Sequence, residues 1–199
     1  MAKEHWDNRF GEKHYAYGKE PNVFIKEKGP LLRQGKVLAV AEGEGRNAVY
    51  LATLGHDVST WDFSSEGLKK TNQLAEEKGV NVETAFVDLS EAPWERETWD
   101  HIILVFGHLE TELRKKTLNN IEKAIRPGGS FLCEVYSPDQ LNYGTGGPRD
   151  EKMLYKPEEF FATFQDWNIK HFFLGEVERE EGELHQGKSH VIQFYGIKQ

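Results

Sequence analysis

The chain has 199 residues, 38% hydrophobic and 29% charged, a balance that suits one soluble globular domain built on one large core. No apolar run approaches the roughly 20 residues that span a bilayer, the first residues hold no signal-peptide core, and the single cysteine, Cys133, has no internal partner, so a cytoplasmic protein with no membrane partner is expected. With 33 acidic against 25 basic residues, net charge −8, the surface repels phosphate backbones, which favours a small-molecule or protein substrate over nucleic acid.

The first 30 residues carry Trp6, Phe10, Tyr15, Tyr17 and Phe24, too many aromatics for a free tail. Residues 36–41 (KVLAVA) form a short apolar run that enters a glycine cluster, as a buried parallel strand does. Between residues 46 and 54 the apolar positions follow a helical period, with Gly55 placed to cap it. Residues 57–62 (DVSTWD) form a second strand, and Ser64 is placed to N-cap the next helix. That helix buries Leu68, Thr71, Leu74 and Ala75 and stops at Gly79. A third strand runs through Val82, Thr84 and Phe86. The fourth, residues 101–106 (HIILVF), is the most hydrophobic segment and belongs at the sheet centre. A helix with Leu113, Leu118, Ile121 and Ile125 inward is predicted to end at Pro127-Gly128-Gly129, before a fifth strand at 131–136 (FLCEVY). The tail holds a helix at 157–164 and two strands, 169–177 and 190–197, joined by a charged turn at 178–188. Strand and helix alternating in this way predict an α/β, doubly wound, mostly parallel sheet with an antiparallel C-terminal hairpin.

In such sheets a ligand sits beyond the carboxyl ends of the strands, where strand order reverses. The first strand ends in Ala41-Glu42-Gly43-Glu44-Gly45-Arg46-Asn47, where glycines allow a tight turn and close approach of a ligand. Asp62 ends the second strand, placed to accept both hydroxyls of a ribose or simply to cap the next helix. Asp88-Leu89 follows the third, where a carboxylate can accept from an adenine amino group. Phe106-Gly107-His108 follows the fourth. His108 has the chemistry of a general base, or of a loop histidine without a catalytic task. On the fifth strand Leu132, Glu134 and Tyr136 share a face, so Glu134 either makes a structural salt bridge or points, with Tyr136, into an acceptor pocket. The glycine-rich loop 137–149 (SPDQLNYGTGGPR) brings Tyr143 and Arg149, as a pocket wall or a surface excursion. Eight histidines show no His-Glu-x-x-His spacing, and no metal site is expected.

The series VLAVAEGEGRNA, STWDFS, FVDL, WDHIILVFGH and RPGGSFLCEVY resembles class I methyltransferases that use S-adenosylmethionine, and is most similar to small single-domain enzymes related to tellurite-resistance and thiopurine methyltransferases. The resemblance implies a Rossmann-like sheet of seven strands with the last antiparallel. It implies one domain over 1–199: a lid segment at 1–30, a cofactor-binding core at 31–136, and a substrate loop and hairpin at 137–199. By the same resemblance Ala41, Gly43 and Gly45 line the methionine part of the cofactor and Asn47 lies beside them. Asp62 holds the ribose, Phe63 and Leu89 flank the adenine, Asp88 takes its amino group, and Phe106 completes the set. Trp6, Arg9, Tyr15 and Tyr17 become lid residues, Arg9 for the cofactor carboxylate and Tyr17 toward the substrate. Many family members carry an acidic residue in place of Ala39 and glycine in place of Ala41; Glu42 and Glu44 are the nearby carboxylates able to compensate. The implied activity is methyl transfer to a small acceptor such as a thiol or chalcogen oxyanion. Two other readings stay open. One is a nicotinamide-dependent reductase, since residues 43–48 satisfy the relaxed dinucleotide fingerprint; the other is a non-catalytic S-adenosylmethionine-binding protein. The acceptor and the oligomeric state are not specified by the sequence.

Overall fold

The computed structural model describes residues 2–182 and 185–199. The elements are α1 (Ala2–Phe10), α2 (Val23–Lys28), β1 (Lys36–Val40), α3 (Arg46–Thr53), β2 (Asp57–Asp62), α4 (Ser65–Lys78), β3 (Glu83–Phe86), β4 (Trp99–Val105), α5 (Thr111–Ala124), β5 (Ile125–Tyr136), α6 (Pro157–Thr163), β6 (Asn168–Glu181) and β7 (His185–Ile197). They build a seven-stranded sheet in the order β3-β2-β1-β4-β5-β7-β6. The first five strands are parallel, and β7 runs antiparallel to both β5 and β6. Strand order therefore reverses between β1 and β4, where a crevice opens at the carboxyl ends.

The central strands are apolar throughout because both sheet faces are covered. The two-residue period sends Val37, Ala39, Ile103 and Val105 into a core with Phe24, Val49, Leu51 and Leu74. It sends Leu38, Val40, Ile102 and Leu104 into the opposite core with Leu118, Ile121, Phe131 and Phe194. There Phe131, Phe164 and Phe194 meet at ring separations of 5.1–5.9 Å, each burying apolar surface worth about 1.5–3 kcal/mol. Ser64 caps α4 by accepting from Gly67 N at 3.2 Å, and Gly79 ends that helix in the left-handed region, as the sequence predicts.

Several boundaries differ from the sequence reading. Helix α5 stops at Ala124, and Ile125 already lies extended at the start of β5. Pro127 disfavours helical backbone at the residue before it, so Pro-Gly-Gly falls inside the strand instead of ending the helix. The hairpin is the larger difference: β6 runs to Glu181 and β7 begins at His185, leaving little of the charged turn expected at 178–188. Its charges are tolerated because Arg179 and Glu181 pair with each other and with Arg46 and Glu134. At the other sheet edge β3 spans only Glu83–Phe86 and leaves Phe86 exposed.

Candidate active site

Backbone conformation marks the crevice first. Ala41 and Phe106 follow β1 and β4, the two strands that flank the reversal, and both adopt a positive φ of 52°. Left-handed backbone is uncommon outside glycine and concentrates at functional sites. Both residues line a cavity of about 460 Å³, together with Glu42, Gly43, Asn47, Asp62, Phe63 and His108. Helix α1 and the following segment roof it through Trp6, Arg9, Phe10 and Tyr17, and one side is closed by Gly146, Gly147, Pro148 and His185.

Asp62 is buried at the tip of β2. Its Oδ2 accepts from Gly43 N and its Oδ1 from Ser64 N, both at 2.8 Å. Burial raises its pKa, and these backbone N–H groups act against the rise. Gly43 is needed for close packing: a Cβ there would stand 2.9 Å from the Phe10 ring. Asn47 anchors the N-terminal segment, its Oδ1 accepting from Asn22 N at 2.9 Å. Arg9 donates to the Tyr17 hydroxyl at 2.9 Å and lies over the Trp6 ring.

His108 and His185 bracket the aromatic wall. His185 packs 4.5 Å from Tyr17 and 4.7 Å from Phe106, and the Nδ1 of its buried ring has no hydrogen-bond partner. Burial depresses the His108 pKa to about 4, with Arg9 adding to the shift. Burial also takes His185 to about 3, with Arg46 the next cause. Both rings are neutral at physiological pH.

Several expected site residues lie elsewhere. Gly45 does not line the cavity; it packs against Thr71, which a Cβ would approach to 2.5 Å. Asp88 is exposed and turns back on Ser90 N and Oγ at 2.8 and 2.7 Å, contacts that lower its pKa. Leu89 is buried in the core beside Trp61. Glu134 is fully buried away from the cavity, accepting from Arg179, from Asn22 Nδ2 at 2.7 Å and from Gln193 Nε2 at 2.6 Å. Tyr136 stands behind the wall, its ring stacked 4.6 Å from Phe106. Tyr143 donates to Glu176 at 2.5 Å, and Arg149 bonds the Tyr143 carbonyl; neither lines the cavity. Tyr15 packs against Lys70, outside the lining. Of the two candidate compensating carboxylates, Glu44 is held by Lys70 at 2.7 Å, whereas Glu42 lines the cavity.

His185 escaped the sequence reading because it sits among charges. The signal was present, since the inward alternation of β6 continues from Val177 into Arg179 and Glu181. Among the described residues no cluster of histidine, cysteine or carboxylates is arranged to hold a metal, and no helix is long and apolar enough to cross a membrane.

This sheet order, with one antiparallel strand and a cavity at the reversal, is the Rossmann-like fold of class I methyltransferases. A family model described as tellurite resistance protein TehB matches residues 7–193, and the chain belongs to that family. It is 29% identical over 165 residues to the probable S-adenosyl-L-methionine-dependent methyltransferase TehB of Haemophilus influenzae, covering 81% of this chain and 54% of that protein. The solved structure of TehB from Haemophilus influenzae aligns with a TM-score of 0.74 at 20% identity, covering 99% of this chain and 67% of the other. A tRNA 5-carboxymethoxyuridine methyltransferase of Escherichia coli is 31% identical over 120 residues, 59% of this chain and 45% of its own length. The chain spans about half the length of the curated relatives it matches.

Proposed function

We propose that this protein is a cytoplasmic methyltransferase that moves a methyl group from S-adenosylmethionine to a small nucleophile of the thiol or chalcogen-oxyanion class, without a metal. The observation that carries the reading is one cavity that joins a buried strand-tip carboxylate, Asp62, to a wall of Tyr17, Phe106, His108 and His185. Asp62 Oδ2 accepts from Gly43 N and Oδ1 from Ser64 N, which leaves the carboxylate further lone pairs for a pair of ribose hydroxyls. Phe63 offers an apolar face beside it, and Arg9 supplies a cation for the amino-acid carboxylate. Residues 31–136 thus supply most of the cofactor contacts, the segment 1–30 roofs the cofactor and brings Arg9, and Gly146, Gly147, Pro148 and His185 close the acceptor side.

When bound, S-adenosylmethionine supplies a methyl group already activated on a sulfonium. The protein's own tasks are alignment, water exclusion and charge complementarity. Helix α1 roofs the site, and the faces of Tyr17 and Phe106 suit a positive charge. His108 and His185, held neutral by burial, are weak bases that serve as hydrogen-bonding groups. An acceptor that arrives as an anion needs no strong base, which matches two cavity histidines held neutral by burial. This combination favours a thiolate or oxyanion over an amine, and the net charge of −8 disfavours nucleic acid.

Calorimetry with S-adenosylhomocysteine and with NADH tests the cofactor. Tight binding of NADH alone would replace this reading with a reductase. Methyl-labelled cofactor is then offered with thiols, selenite, tellurite, amines and tRNA. Label in the thiol or oxyanion products is the expected result. Label in tRNA or amines would overturn the acceptor class, and binding without transfer to any of them would leave a non-catalytic binding protein.

A further inference from the structure

The two edges of the sheet are finished differently. Strand β3 closes one edge with only 4 residues. Strand β6 forms the other with 14 residues, and its pairing with β7 is unbroken from His171 to Glu181. Among the described residues no backbone hydrogen bond reaches the outer side of β6. Such an open ladder is a template for another strand, and proteins blunt it with short strands, prolines, lysines or bulges. Residues 171–181 hold no proline and no lysine, and the one register shift lies before them, between Ile169 and His171. Phe172 and Leu174 share a face by the two-residue period. On that face the Phe161 ring of α6 packs 4.6 Å from Phe172, and Phe161 and Leu174 are each 45% exposed.

Charge along the strand selects the occupant. Beyond Leu174 the same face carries Glu176, Glu178 and Glu180, all exposed, while Lys170 lies at the opposite end. Glu176 is held by Tyr143 and Lys188, whereas Lys170 and Glu178 have no ion-pair partner among the described residues. A parallel copy of this strand would set acid against acid. An antiparallel copy, related by a two-fold axis through Leu174 and normal to the sheet, sets Leu174 against itself. It also brings Lys170 of each chain level with Glu178 of the other, and keeps the acidic halves apart. Both α6 helices stay on one face, so Phe161 and Leu174 from each copy line one apolar seam. The contact is self-complementary and closes at two copies. We propose that β6 pairs antiparallel with β6 of a second copy of this chain, centred on Leu174, joining the two sheets into one across a symmetric dimer.

Sedimentation velocity of the full chain, from low to high micromolar concentration, should show a rise toward twice the chain mass. A wild type that is monomeric throughout would overturn the proposal and leave this edge to a different chain. Opposed residues on antiparallel strands have Cα atoms about 4.5–5.5 Å apart, within the span of a disulfide. Cys133 is buried, so Leu174→Cys should form a disulfide-linked dimer on mild oxidation where the wild type forms none. A dimer that Leu174→Cys fails to link would place the interface elsewhere and overturn the proposal. Glu178→Lys sets lysine against lysine at both ends of the seam and should weaken dimerisation roughly 10-fold. Adding Lys170→Glu should restore wild-type affinity. Both positions are exposed, so melting temperatures should stay close to wild type. Undiminished dimerisation of Glu178→Lys would overturn the antiparallel register.

Discussion

The two ends of the cavity are built in different ways. The glycine-loop end comes from short connections at neighbouring strand tips: Ala41 and Glu42 after β1, Asp62 and Phe63 after β2. Its carboxylates are held by backbone N–H groups a few residues away or on the next strand. The hairpin end gathers Tyr17, Gly147 and His185 from distant parts of the chain. Side-chain charges hold it, through Arg179 with Glu134 and Glu181, and Arg46 with Glu181. Backbone donors survive every substitution except proline, whereas each buried ion pair fails when one partner is removed. The first end should therefore tolerate mutation in its fold and be sensitive in its binding, and the second should show the opposite.

The largest effect should come from breaking the charged end. Arg179→Ala leaves Glu134 and Glu181 without their shared cation in a buried site, an expected loss of about 3–5 kcal/mol, read by denaturant unfolding. Folded protein should keep most of its affinity for S-adenosylhomocysteine; a matching loss there would erase the contrast. Next comes Asp62→Ala, which should weaken S-adenosylhomocysteine binding by at least roughly tenfold with a smaller change in melting temperature. Unchanged affinity would remove Asp62 from the binding role.

His108→Ala should lower turnover about tenfold or more while cofactor affinity stays close to wild type. Loss of binding alone would make His108 structural. The smallest effect is pH dependence at the histidine wall. His108 and His185 have folded pKa values of about 4 and 3, below their ordinary 6.5, so the unfolded chain takes up protons first as pH falls. Their stability contribution is complete above about pH 6.5 and is lost progressively toward the folded values. The raised pKa values of Asp62 and Glu42 act in the opposite sense at the acid end. Melting temperature should drop by several degrees between about pH 7 and pH 5, and His185→Ala should flatten the curve. A wild-type curve already flat over that window would contradict the buried, neutral assignment.

Much of the glycine-loop end was legible. Asp62 and Phe63 could be placed because parallel strands put their carboxyl tips on one edge, and Ser64 and Gly79 punctuate α4 where local backbone chemistry requires. Asp88, Leu89 and Gly45 were named for the same reason, yet local bonding turns Asp88 onto Ser90 and core packing takes Leu89 and Gly45 out of the cavity. The hairpin end was hardly legible. Charged residues read as a solvated turn because a sequence does not show which charge meets which.

What the residue order determined alone is local: strand and helix alternation, the caps, the glycine turn after β1, and the two-sided burial of the central strands. These follow from hydrophobic period and backbone sterics within about ten residues. Only the folded chain decided that Glu134 lies in an ion network, that Tyr136 backs the wall, and that His185 and Tyr17 share a cavity. Pairing of buried charges depends on which distant segments approach, and desolvation then sets which of them remain charged.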